Sequence, residues 1–231
     1  MNKASILGKK ILFVTAHPDD ESYLAAGTML KNHEAGGVSY VACATFGEKG
    51  KSHMKRNVTS AELKRIRKGE LLKVSKFLKV SGLLTPGLPD ANLANEINQK
   101  LFFRKLLKFA KEHNPEFIVS FGRDGISGHL DHIAAGKVAK QVAKELKIRF
   151  LTFTAPPELK NSIELLKQRR KHGKYVENLK HHPHDIEITI DSKRKLKALR
   201  FHKSQFGKLG PFASVSKKAR KQFLTKEYFS F

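Results

Sequence analysis

The chain has 231 residues, 40% of them hydrophobic, enough to fill the core of one α/β domain. Its single cysteine, Cys43, excludes an internal disulfide and a cysteine-based metal cage, no apolar run approaches the roughly 20 residues of a membrane span, and without the apolar core of a signal peptide a cytoplasmic location is expected. Forty-five Lys and Arg against 21 Asp and Glu give a formal charge of +24, which favours acidic partners, but the lysines are dispersed without interleaved aromatics, so nucleic acid is not the expected partner.

An apolar strand over Ile11 to Thr15 runs directly into His17-Pro18-Asp19-Asp20-Glu21. A helix from about Glu21 to Glu34 then stops at Gly36-Gly37, and a second strand spans Val38 to Thr45. The next helix, about Ser60 to Val80, carries Leu63, Ile66, Leu71, Val74 and Leu78 on one face. A strand at Leu83 to Thr85, a helix over about Asn95 to Glu112, a strand at Phe117 to Phe121 and a helix from Asp131 to about Leu146 follow. Strands at Phe150 to Phe153 and Ile186 to Ile190, and a helix from Ser192 to about Ser204, complete the pattern. Strands alternating with helices predict a Rossmann-like three-layer sandwich: a mostly parallel sheet with helices on both faces. One domain is expected over residues 1–231, with a basic excursion at about 155–184 and a C-terminal tail at 207–231 that packs on the domain. Between Lys160 and Lys180 lie seven basic and two acidic residues, which reads as an exposed helical segment.

In a sheet ordered 3-2-1-4 the first and fourth strands adjoin where the topology reverses, and ligands bind outside their carboxyl ends. The loops there hold His17 to Glu21 and Gly128-His129-Leu130-Asp131-His132. Asp19 or Asp20, and Asp131, could each cap a helix, but capping explains neither His17 nor the pair His129 and His132. So much charge at the end of a buried strand calls for a cation, and His17 and Asp20 can reach one from a single turn of chain. Cys43 reads as a buried strand residue rather than a nucleophile. His181, His182 and His184, in a basic segment, read as solvated side chains or cap partners.

These residues resemble the LmbE/PIG-L family of zinc-dependent N-deacetylases acting on N-acetylglucosaminyl compounds. Thr45-Phe46-Gly47-Glu48-Lys49-Gly50 resembles the family's loop after the second strand, Arg67-Lys68-Gly69-Glu70-Leu71 its Arg-x-x-Glu-Leu helix, and Leu88-Pro89-Asp90 its Pro-Asp loop. Lys197-Ala198 with His202-Lys203-Ser204-Gln205 resembles the closing helix, so the likeness covers about residues 9 to 206. The resemblance implies Zn2+ held by His17, Asp20 and His132, a fourth position open for water, and Asp19 as general base. It also implies that His129, oriented by Asp131, stabilises the oxyanion or protonates the departing amine, and that Arg67 and Asp90 contact the sugar.

Many bacterial members read Tyr-Gly-His-Pro-Asp-His, whereas this chain reads Ser127-Gly128-His129-Leu130-Asp131-His132. The Ser-Gly-His form resembles the eukaryotic branch that deacetylates N-acetylglucosaminyl-phosphatidylinositol, but without an N-terminal membrane anchor. The expected partner is an N-acetylated amino sugar, with anionic forms favoured on electrostatic grounds. Peripheral membrane contact and oligomeric state stay open. Two alternatives stand beside this reading: a basic nucleic-acid or anionic-membrane binder with a vestigial site, and an amidase acting on another N-acyl sugar or thiol conjugate.

Overall fold

A computed structural model describes residues 5–156, 184–206 and 216–231. Within them one sheet runs in the order β3-β2-β1-β4-β5-β7-β6. Its strands are β1 (Lys10–Thr15), β2 (Val38–Cys43), β3 (Val80–Leu84), β4 (Phe117–Ser120), β5 (Arg149–Thr154), β6 (Ile186–Thr189) and β7 (Lys226–Ser230). The first five are parallel, and β7 runs antiparallel to both β5 and β6. Packed around the sheet are α1 (Asp20–Leu24), α2 (Ala26–Glu34), α3 (Ser60–Phe77), α4 (Glu96–His113), α5 (Leu130–Glu145), α6 (Ser192–Phe201) and α7 (Lys217–Thr225). This is the mixed, mostly parallel α/β sheet that the alternating pattern predicts. None of the described helices is long and apolar enough to cross a membrane.

Local chemistry sets the elements. β1 lies between β2 and β4, and every residue after Lys10 is buried, hence its unbroken apolar run. α3 opens with a capping box in which Thr59 and Glu62 satisfy each other's backbone amides. α5 presents a buried face of small residues, Ala134, Ala135, Gly136, Val138 and Ala139, which lets it lie close to the end of β4. A Cβ on Gly136 would stand 2.2 Å from the Phe121 carbonyl oxygen. We expect Gly136→Ala to push α5 outward, lowering stability by about 1–3 kcal/mol in denaturant unfolding. Displacement of His132 should accompany that loss, because the same helix carries it.

Two features depart from the sequence reading. The single helix expected over about Glu21 to Glu34 is broken at Ala25 (φ −148°), although no Gly or Pro stands there. The cause is tertiary: the free amides of Gly27 and Thr28 at the start of α2 donate to the carboxylate of Glu227, at 3.0 and 2.7 Å. The expected tail instead forms α7 and then β7, which inserts between β5 and β6 as a member of the sheet. Glu227, 2% exposed in mid-strand, is neutralised by Lys195 at 2.9 Å. The basic stretch from Lys160 to Lys180, with His181 and His182, falls outside the described residues. His184 stands 3.9 Å from Glu187.

Candidate active site

Because β1 and β4 are neighbours, the loops leaving their carboxyl ends emerge side by side and bring together residues more than a hundred positions apart. His17 Nδ1 lies 3.2 Å from His132 Nε2, and the carboxylate of Asp20 stands 3.3 Å from His132 Nε2 and 3.8 Å from His17 Nδ1. Three ligands around a tetrahedral ion with bonds near 2.0–2.1 Å would be separated by about 3.3 Å, so this donor set matches in type and in spacing.

Each donor is aimed by a further contact. His132 Nδ1 donates to the Gly125 carbonyl at 3.1 Å, an assignment of the tautomer that leaves the Nε2 lone pair free, and its ring stacks on Phe121 at 4.1 Å. His17 Nε2 faces Asp90 Oδ1 at 3.2 Å and Asp131 Oδ2 at 3.3 Å, so the proton sits there and Nδ1 turns to the cluster. Asp20 Oδ2 accepts from the amides of Ala16 and His17, at 3.1 and 2.9 Å. Gly125 takes φ +56°, and a Cβ there would stand 2.9 Å from that of His132.

The electrostatics favour a cation at this point. Burial works against a charged His17, yet the hydrogen bonds it donates to Asp131 and Asp90 and the nearby Asp20 raise it to about 10. Burial likewise opposes ionisation of Asp20, but His132 and His17 hold it well below the ordinary carboxylate range.

Asp19 stands next to the cluster in a left-handed backbone conformation, φ +113°, and as N-cap of α1 its side chain makes no capping hydrogen bond. The helix-cap role considered for this residue is therefore unused. Burial lifts its carboxyl to about 6, with Arg67 opposing and Asp20 adding to the rise. Its amide donates to Glu21 Oε2 at 3.0 Å, and Arg67 Nη2 is 3.4 Å from Oδ1.

The other expected site residues all arrive here. His129 caps α5, its Nδ1 accepting the Asp131 amide at 3.2 Å, which places its proton on Nε2. Asp131 thus meets His129 through its backbone, while its carboxylate accepts from His17 and from the amides of Ala91 (2.7 Å) and Leu93 (3.0 Å). Arg67, 4% exposed, donates to the carbonyls of Pro18 and Gly47. Asp90 accepts from the Lys49 amide at 2.7 Å and lies behind His17. Cys43 is fully buried, and burial with the nearby Glu21 and Asp20 pushes its thiol up, as a strand residue with no part in the chemistry.

One pair had no role in the sequence reading. His202, just after α6, places Nε2 2.6 Å from Glu21 Oε1, and Ser22 Oγ donates to the same oxygen at 2.6 Å. Both residues of the pair are at most 1% exposed. The available signal was Glu21, a third carboxylate beside Asp19 and Asp20, which when buried needs its own counter-charge.

Comparison with known proteins identifies the family. The chain is 30% identical over 212 residues to the probable N-acetyl-alpha-D-glucosaminyl L-malate deacetylase 2 of Bacillus anthracis, spanning 86% of this chain and 82% of that protein. It superposes on N,N'-diacetylchitobiose deacetylase from Pyrococcus horikoshii with a TM-score of 0.68 at 22% identity, over 96% of this chain and 82% of that one. The 4-carboxy-2-hydroxymuconate hydratase GalB of Pseudomonas putida superposes with a TM-score of 0.64 at 21% identity, over 93% and 82% of the two chains, so this fold by itself does not decide the reaction. The model of the GlcNAc-PI de-N-acetylase family, PIG-L, matches residues 12–143, more than half of the sequence and the stretch that carries both His/Asp clusters, and the chain belongs to that family.

Proposed function

We propose that this chain is a zinc-dependent hydrolase removing the N-acetyl group from an N-acetylglucosamine-containing substrate. The observation that carries the proposal is the convergence of His17 Nδ1, Asp20 and His132 Nε2 at tetrahedral-ligand spacing, each aimed by a further contact, beside an uncapped Asp19. Among the described residues His17, Asp20 and His132 form one group that could hold a metal, and His17 with His129 and Asp131 another; zinc held by the first three would keep a fourth position open, as a catalytic zinc does. Bound zinc supplies Lewis acidity and a nucleophile at neutral pH. Asp19 takes the proton from the attacking water, its carboxyl held next to the cluster by the amide bond to Glu21 and by Arg67. His129, neutral with its proton on Nε2, donates a hydrogen bond to the developing oxyanion, and Asp19 passes the proton taken from water to the departing amine. Arg67 and Asp90 serve the site through Asp19 and His17, which they contact directly while also holding backbone groups of the neighbouring loops.

Purified protein should carry about one zinc per chain and lose amide hydrolysis on chelation, with zinc restoring it. A metal-free preparation retaining full deacetylase activity overturns the proposal. A panel of free, glycosidically linked and phosphate-bearing N-acetylated sugars then identifies the substrate, with release of acetate as the readout.

A further inference from the structure

The first helix after β1 is too short to hold its own direction. α1 has five residues and begins at Asp20, with Asp19 as its N-cap, so the side chains proposed as ligand and base point where the far end of α1 is fixed. That end is Ala25, fully buried, at φ −148° and ψ 6°. In one continuous helix the amides of Gly27 and Thr28 would donate to the carbonyls of Tyr23 and Leu24, four positions back. Here they donate to Glu227 instead, to Oε1 at 3.0 Å and to Oε2 at 2.7 Å.

Elements from the C-terminal end grip both sides of this break. Glu227 Oε1 also accepts from Lys195 Nζ at 2.9 Å, and that ammonium, 0% exposed, lies 4.1 Å from the centre of the Phe223 ring. On the α1 side, the Tyr23 ring meets the same Phe223 with ring centres 6.0 Å apart. On the α2 side, a Cβ on Gly27 would stand 2.4 Å from that of Ile190, so the missing side chain is what admits the approach. β7 needs none of this charge to join the sheet, because its backbone pairs with β5 and β6 and a buried ion pair is often no better than an apolar pair of the same volume. What the pair does hold is the start of α2.

We infer that Glu227 is a positioning residue for the metal turn: by capping the first amides of α2 it fixes the break at Ala25, and with it the direction of α1 and the places of Asp19 and Asp20. Lys195 and Phe223 act one step further back, the first as counter-charge to the carboxylate and the second as a face for that ammonium. The effect on metal and turnover rests on the deacetylase reading, whereas the effect on the turn does not.

Two full-length double variants separate the amide contacts from the ion pair. Both carry Lys195→Met; one adds Glu227→Gln, whose amide oxygen can still accept from Gly27 and Thr28, and the other adds Glu227→Leu, which accepts nothing. With Glu227→Leu the Cα chemical shift of Ala25 should move to the helical range, the Kd for zinc should rise at least about tenfold, and kcat should fall with little change in KM. With Glu227→Gln the Ala25 signal should stay that of the parent and the zinc Kd within about threefold of it. Should the Glu227→Leu chain fail to fold, Glu227→Asp with Lys195 retained makes the same test, because its carboxylate stops one methylene short of both amides. A folded Glu227→Leu or Glu227→Asp chain with the parent's Ala25 signal overturns the inference. So does an equal loss of zinc from the Glu227→Leu and Glu227→Gln chains, which traces the loss to the ion pair and not to the amides. A parent that holds no zinc or hydrolyses no N-acetylated sugar counts against the proposed reaction, and the Ala25 signal then decides the role of Glu227 by itself.

Discussion

Asp19→Asn is expected to keep its zinc and lose about 10²- to 10⁴-fold in turnover, while Asp20→Ala loses the metal together with the activity. The two carboxylates are adjacent in sequence but face different work. Asp20 turns back on the strand end, one oxygen accepting two amides and the other 3.3 Å from His132 Nε2, so its removal deletes a ligand and loosens the loop that aims His17. Asp19 makes no capping bond, and Asn is nearly isosteric with it, so the stability cost of about 1 kcal/mol expected from loss of a helix cap should be absent. Zinc content, melting temperature and acetate release on both variants check the assignment together. Retention of zinc by Asp20→Ala with its loss from Asp19→Asn reverses the two roles.

His202→Ala should be among the most damaging substitutions outside the metal ligands. It leaves the carboxylate of Glu21, 0% exposed, without its counter-charge, a change that costs about 3–5 kcal/mol when one partner of a buried pair is removed. Because Glu21 also holds the Asp19 amide at 3.0 Å, the surviving folded protein should show a lowered kcat with little change in KM. His202→Gln, which can still donate to Glu21, should recover part of both losses. Denaturant unfolding and steady-state kinetics on the two variants measure this, and parent-like stability and kcat in His202→Ala would contradict it.

The order of the first four strands and the convergence of His17, Asp20 and His132 were legible in the sequence because both rest on short-range signals. The unbroken apolar runs at Ile11 to Thr15 and Phe117 to Phe121 mark strands buried on both faces, and His17, Asp20 and His132 stand immediately beyond such runs. β7 was not legible, since the run Lys226–Ser230 contains Glu227 among residues that are almost all buried and therefore shows neither alternation nor an apolar face. Only Lys195, brought beside it by the fold, makes that glutamate a core residue. The break at Ala25 was hidden for the same reason, because the group that stops the helix is Glu227 and not a local breaker. His202 likewise has no spacing relation to the other histidines, and its role follows from Glu21 alone.

The carboxylate of Glu227 binds the first amides of α2 across 199 and 200 positions of chain. Closing a loop of that length costs about 4–5 kcal/mol of chain entropy, so such a contact forms late, once most of the sheet has already been assembled. Until it forms, the first amides of α2 lack the acceptor that sets them off from α1 at Ala25. The turn bearing Asp20 and Glu21 is therefore expected to form late in folding, and its amides should exchange together with those of β6 and β7 in native-state hydrogen exchange.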